Sequence, residues 1–186
     1  MRGSRRGHLG VFYHREDGAA AVEFAVVLPL FVMMIFGIVS FGFIFHDKLS
    51  LGDGAREAAR FGATLPVTNF ASSGAPMEEW LDAISARAVA DATGSLDPGV
   101  PNRMICVAYV HPDGTAGVDS TKRRTEIGTT IEYANVPCFD DGRPNDERRV
   151  QVQLKRDTEF VVILASRTVS LTAESVSRFE ASLVSS

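Results

Sequence analysis

Between Gly18 and Phe45 the chain reads GAAAVEFAVVLPLFVMMIFGIVSFGFIF. From Phe24 to Phe45 no residue is charged, and Ser40 alone is polar. These 22 residues, wound as a helix, reach about 33 Å and cross a hydrocarbon core of roughly 30 Å. In lipid only a helix or a closed barrel satisfies its own backbone, so a lone apolar run of this length is read as a membrane-spanning helix. One ionisable side chain, Glu23, stands at its edge, five residues after Gly18. A carboxylate costs roughly 2.5–3.5 kcal/mol at the bilayer centre and less near the edge. Glu23 is therefore a candidate functional residue that needs a partner. Pro29 removes one backbone hydrogen bond and frees the Ala25 carbonyl, so a kink is expected there. Ala21 and Ala25, four apart, offer a small-residue face for close helix contact.

Upstream, residues 1–17 are polar and rich in Arg and Gly, without a hydrophobic period, and are expected to be disordered by themselves. Arg2, Arg5, Arg6 and Arg15 face Glu16 and Asp17, a net of +2, which leaves −6 on residues 19–186 of a chain whose total is −4. The arginines crowd the N-terminal side of the run and mildly favour a cytoplasmic N-terminus. So acidic a remainder has no electrostatic footprint for nucleic acid. An ordinary secretory signal does not fit. The apolar run is too long for one, and His46-Asp47-Lys48-Leu49 follows where small residues of a cleavage site belong. A break before the run fits better.

Gly18-Ala19-Ala20-Ala21-Val22-Glu23-Phe24-Ala25 resembles the processing site of type IV pilin-like proteins: a Gly, four residues, Glu and an aromatic. The same stretch, with Pro29, a Phe-Gly pair and Gly54-Ala55-Arg56-Glu57-Ala58-Ala59-Arg60, resembles the TadE-like family of the tight-adherence (Flp/Tad) pilus machinery. Leu171 to Glu180 is similar to a frequent ending of that family. Glu16 and Asp17 stand where the family more usually has a base. The resemblance implies a cut between Gly18 and Ala19 by a membrane-embedded prepilin peptidase. It also implies partners: other pilin or pseudopilin subunits, an inner-membrane assembly platform and the lipid bilayer. Cleavage would expose an α-amino group on Ala19, mostly protonated at neutral pH. That cation sits at the positive end of its own helix dipole, so it is better neutralised by Glu23 of an adjacent subunit. Two unit charges about 4 Å apart at an effective permittivity near 20 attract by roughly 4 kcal/mol. The plainer reading is that Glu23 marks the membrane boundary and reaches to the headgroups.

The segment from Leu51 to Gly62 keeps a narrow stripe of small apolar residues at helical spacing, at 51, 55, 58, 59 and 62. The helix is expected to continue beyond the bilayer, with a bend or break near Gly52 and Gly54. Residues 69–75 read as a loop. Pro76, Glu78 and Glu79 then open a second helix that closes near Gly94. Met77, Trp80, Leu81, Ile84, Ala88 and Val89 share its apolar face, with Trp80 as a core anchor in preference to a ligand platform.

From Arg103 the period becomes two. Strands are expected over 104–110, ended by Pro112-Asp113-Gly114, over 150–155 with a wet face at Gln151 and Gln153, and over 168–173 with Val169, Leu171 and Ala173 inward. A weaker one covers 129–133. Phe160–Leu164 reads as a buried strand or a short helix, and residues 115–125 and 139–149 as loops, with Lys122-Arg123-Arg124 on the surface. Asp140, Asp141, Asp146 and Glu147 raise the question of calcium. Their spacing is not that of an EF-hand, and a solvated loop is preferred. Cys106 and Cys138 lie after the run, outside the cytoplasm in the expected topology, and read as a disulfide, the alternative being two buried thiols. A loop of about 33 residues assigns such a bridge roughly 3–4 kcal/mol.

The scattered His8, His14, His46 and His111 form no metal or catalytic motif, and no nucleophile elbow, phosphate loop or dinucleotide fingerprint appears. No catalytic residue, metal or cofactor is expected. The fold class is α+β: a long N-terminal membrane-spanning helix, a second helix and an antiparallel sheet of three to five strands. The expected organisation is a leader 1–18, an assembly helix 19–45, its extension 46–66, and a periplasmic or extracellular head 67–186. The function expected from the resemblance is a minor pilin or pseudopilin. Alternatives are a permanently anchored periplasmic binding or adhesion domain, and a pseudopilin of a type II secretion system.

Overall fold

A computed structural model describes residues 17–66, 75–111, 121–143, 147–162 and 165–180. Helix α1 (Asp17–Thr64) is 48 residues long and passes through Pro29, Gly52 and Gly54 without interruption. The fold comprises a second helix, α2 (Ala75–Asp91), and strands β1 (Met104–Val110), β2 (Lys122–Ile127), β3 (Thr130–Ala134), β4 (Arg149–Val162) and β5 (Ala165–Arg178). All strand pairs are antiparallel, in the order β3-β2-β1-β4-β5. The expected loop at 69–74 and the turn at 112–114 lie outside the described residues.

The distal half of α1 lies on one side of this sheet together with α2. Leu51, Ala55, Ala58, Ala59 and Ala63 are buried against Met77, Trp80, Leu81, Ile84 and Ala88 of α2 and Val107, Val150, Val152 and Leu154 of the sheet. Each large aliphatic side chain so buried contributes about 1.5–3 kcal/mol. The small stripe lets the helices approach closely: a Cβ on Gly54 would stand 3.0 Å from the Ala88 carbonyl and 3.1 Å from the Ala92 Cβ. That contact explains why the Gly-Asp-Gly sequence does not break α1. Its glycines lie in a packed or open helix, and helical tertiary contacts outweigh their poor propensity. Trp80 anchors the core. Its indole N–H donates to the Leu65 carbonyl at 3.1 Å, and its ring meets Tyr109 and Phe179 edge-on at 6.0 and 6.2 Å. Burial pushes the Tyr109 phenol up to about 12, against a smaller opposing pull from Arg148.

Four expectations are corrected. Residues 122–125 are not loop but the start of β2, which turns into β3 through Gly128, whose φ of 60° suits a two-residue hairpin. Arg124 is buried, not on the surface. It donates to Asp82, to Ser85 Oγ at 2.9 Å and to Glu126 at 2.8 Å, while Arg103 meets the other Glu126 oxygen at 2.7 Å. Gln151 faces no solvent: it is fully buried. Val169 is 38% exposed because it pairs with Thr158, past the last β1–β4 pair at Met104–Lys155. Of the alternatives for the 160–164 run, the described residues form strand and not helix. Through Val162 it continues β4, and Ile163 and Leu164 lie outside the described residues.

Candidate functional site: the projecting helix and its collar

The two halves of α1 meet different surroundings. Val22, Phe24, Val26, Leu30, Phe31, Phe36, Phe41, Phe43 and Phe45 are all exposed, an apolar surface that water does not tolerate at this extent. This is the one helix among the described residues long and apolar enough to cross a membrane. Beyond residue 49 the same helix is built into the head.

Gly18, Ala19 and Glu23 are exposed on the first turns of α1. Ala19 and Glu23 are four residues apart and lie on one helical face. Among the described residues, a Cβ on Gly18 would find no heavy atom within 4 Å. Glu23 is exposed, and among the described residues it pairs with no cation of the head. Pro29 lies six residues further on, inside α1.

Where the apolar run stops, polar residues clamp the helix to the head. Asp47 pairs with Arg156 at 3.4 Å and accepts hydrogen bonds from Thr158 Oγ1 at 3.3 Å and Ser95 Oγ at 3.5 Å. Lys48 donates to the Thr172 carbonyl. Ser50 donates to the Ala92 carbonyl and meets the Thr93 hydroxyl at 2.6 Å. Thr93 holds φ at 41°, uncommon for a β-branched residue, and its hydroxyl is tied to α1 by that contact. Further out, the Glu180 N–H donates to the Ala63 carbonyl at 2.9 Å. Helix and head therefore move as one piece. Sequence reasoning missed this collar. Its partners lie 42 to 124 positions away in the chain, so no local pattern announces it.

On the face of the sheet away from α1 and α2, Cys106 of β1 and Cys138 form a disulfide. The segment carrying Cys138 is fastened further by Gln151, whose Oε1 accepts from the Cys138 N–H at 3.0 Å and whose Nε2 donates to the Phe139 carbonyl at 3.0 Å and Asp141 at 2.8 Å. Arg149 adds two bonds to Asp141, at 2.7 and 3.0 Å. Burial works against a charge on Asp141, but Gln151, the Arg143 N–H and Arg149 outweigh it and hold the carboxyl below its ordinary range. So Asp141 serves as a structural anion, where a solvated loop was expected. Asp146 lies outside the described residues. Among the described residues no three His, Cys, Asp or Glu side chains gather as a metal site would require.

Comparison with known proteins gives one result. Residues 18–60 match the family model described as TadE-like protein. No curated protein and no solved structure matches the chain. The match begins at the Gly18–Ala19 junction, takes in the projecting half of α1 and the collar, and ends within the docked half: over residues 18–60 this chain is similar to TadE-like proteins.

Proposed function

We propose that this protein is a membrane-anchored structural subunit, a minor pilin or pseudopilin, of a Tad/Flp-type pilus machinery. The observation that carries this reading is the TadE-like match on a helix whose first half projects bare and apolar while its second half is locked into a head. A prepilin peptidase cuts between Gly18 and Ala19, and the subunit leaves the bilayer only when its projecting helix finds the helices of other subunits. Apolar surface drives that exchange without choosing a register. The Ala19 amine and Glu23 of a neighbour supply the choice, because an ion pair excluded from water rewards close apposition and an unpaired buried charge is costly. The head rides outside the cytoplasmic membrane, where its disulfide is stable, and the assembly platform in that membrane is the site of hand-over.

The test is Glu23→Ala in cells that assemble the pilus. The variant is expected to be made, inserted and cut as the parent is, yet to fail in assembly. Normal piliation with Glu23→Ala would dispose of the amine-pairing mechanism.

A further inference from the structure

Strand β3 closes one end of the sheet, and β2 is its one close neighbour among the described elements. Its sequence, Thr130-Ile131-Glu132-Tyr133-Ala134, is exposed except for a half-buried Ala134. Apart from Glu132 it carries no charge, and it has no proline or bulge, the devices that keep an open edge from pairing. The opposite edge is treated differently: α1 packs on β5, and Lys48 caps the Thr172 carbonyl. After Phe45, six large apolar side chains are exposed among the described residues. Four of them, Ile127, Ile131, Tyr133 and Val136, lie on the β2–β3 hairpin and its exit.

Gly128-Thr129 forms a two-residue turn closed by the Ile127–Thr130 pair. Such a closing pair exchanges both hydrogen bonds, and the exchange then alternates along the ladder. Thr130, Glu132 and Ala134 therefore turn their backbone groups to β2, while Ile131 and Tyr133 turn theirs to the open edge. An identical strand can pair there antiparallel about a two-fold axis. Centred on Glu132, the pairing sets two carboxylates opposite each other, which is destabilising. Centred on Ile131, it runs off the strand into the turn at Thr129. Centred on Tyr133, it joins the two tyrosines and sets Ile131 opposite Asn135 and Glu132 opposite Ala134.

The twist of the sheet governs whether one membrane can hold both copies. Helix α1 runs along β5, with Lys48 level with Thr172 and Ala63 level with Glu180. The two-fold of an antiparallel edge pair is normal to the sheet at that edge. From this axis to the middle of β4 and β5, beneath α1, is four strand steps, about 19 Å at 4.8 Å each. At about 20–25° a step, the strand direction turns through roughly 80–100° on the way. So α1 lies close to the direction of the axis, and the rotation leaves both copies of it pointing the same way. Two chains anchored in one membrane meet that condition. Their spans stand about 38 Å apart, which leaves both apolar halves open to other subunits. Thr130 to Val136 offers seven residues a side, against about 20–30 in a stable soluble interface. Anchoring in one bilayer supplies the effective concentration that so small an edge lacks.

Resting on the membrane anchoring of α1 in the function proposed above, we propose that the open β3 edge docks the β3 edge of a second copy of this chain in the same membrane. The two heads share one antiparallel sheet, five strands from each, joined through Ile131, Tyr133 and Asn135 about a two-fold at Tyr133.

The experiment uses the full chain, with Cys106 and Cys138 left bridged, in membranes of expressing cells and in dilute vesicles of phosphatidylethanolamine and phosphatidylglycerol. Single cysteines are introduced as Ile131→Cys, Glu132→Cys, Tyr133→Cys and, on the exposed side of α2, Glu79→Cys, and are oxidised mildly. A hydrogen-bonded pair holds its Cα atoms about 5.5 Å apart, within disulfide reach. A disulfide-linked dimer is expected from Tyr133→Cys alone, in both settings. Ile131→Pro removes an N–H that points to the open edge and spares the β2 ladder, so its addition should abolish the link. Ala134→Glu, which sets a second carboxylate opposite Glu132, should weaken the link, and Ala134→Lys should strengthen it, in heads whose Trp80 fluorescence matches the parent's. Equal linking at all four positions shows random collision, a link strongest at Ile131 or Glu132 shows another register, and a Tyr133→Cys link to a different protein shows another occupant. Each overturns the proposal. So does a link that is lost with Glu23→Ala, because the pairing would then depend on the projecting helices. Absence of any link in protein that resists alkaline carbonate extraction overturns the dimer and leaves the anchor standing; release by carbonate overturns both.

Discussion

Gly54→Ala and Gly52→Ala should change stability in opposite directions, although the two glycines are two positions apart in one helix. Alanine gains about 1 kcal/mol over glycine in a helix interior. At Gly52 nothing opposes that gain. A Cβ there meets only the end of the Arg56 side chain, at 3.7 Å. At Gly54 the new methyl would stand 3.0 Å from the Ala88 carbonyl oxygen, 3.1 Å from the Ala92 Cβ and 3.2 Å from the Ala92 nitrogen. Two of these atoms are backbone, and the end of α2 that carries them is held by the Ser50 hydrogen bond to the Ala92 carbonyl. Overpacking costs about 1–3 kcal/mol; against two backbone atoms it falls in the upper part of that range, about 2–3 kcal/mol, so, less the helix gain of about 1 kcal/mol, Gly54→Ala should lose about 1–2 kcal/mol net. At about 2–4 °C per kcal/mol for a chain of this size, the midpoint falls by roughly 2–8 °C, while Gly52→Ala raises it by a few degrees. The assay is thermal unfolding in detergent, followed by near-ultraviolet dichroism and the fluorescence of Trp80, which sits in the same core. A Gly54→Ala midpoint equal to or above the parent's would refute the close packing of α1 on α2.

Three further outcomes are expected. Replacing Cys106 and Cys138 together by serine removes a cross-link across 32 positions and should cost about 3–4 kcal/mol in denaturant unfolding; an unchanged midpoint would show that the bridge does not constrain the unfolded chain. Because the folded Asp141 carboxyl titrates below its ordinary value of 3.8, its contribution is complete above that value and declines as the pH drops through the lower folded one. Acid unfolding profiles should therefore show a loss below about pH 4 that is smaller in Asp141→Asn, and superimposable profiles would contradict the assignment. Conservative Glu23→Asp, with a shorter reach to a neighbour's amine, should assemble more weakly than the parent but better than Glu23→Ala, as measured by pilus yield.

The parts of this fold that the sequence made legible are those in which neighbours along the chain share one environment. The apolar run and the small stripe after it specify α1, and the alternation of Val150, Val152 and Leu154 marks the sheet core. Leu171 and Ala173 mark the strand beside it. Strand β2 escaped notice because Lys122-Arg123-Arg124-Thr125-Glu126 has the composition of a solvated loop. Its burial becomes affordable only through Asp82 and Ser85 on α2, some forty positions earlier. Gln151 misled for a related reason: its amide is satisfied by Cys138, Phe139 and Asp141, a segment that the disulfide folds back over it. Strands β4 and β5 were read too short because Lys155-Arg156-Asp157-Thr158-Glu159 is polar on both faces, as a ribbon past the sheet edge allows. Of the candidate site, Gly18, Ala19 and Glu23 stand out in the sequence by their spacing together with the resemblance to pilin-like processing sites. Asp47, Lys48 and Ser50 were not, since their partners come from three distant elements.

The central claim is that α1 is released from its leader so that Ala19 becomes the charged end of an assembly helix. Intact-mass measurement of the protein extracted from membranes of cells that contain the prepilin peptidase tests it most directly. The predicted result is a chain beginning at Ala19, with or without a methyl group on its nitrogen, and a shift to the uncut mass when the peptidase is absent. A chain that keeps residues 1–18 in the presence of the peptidase would contradict the account.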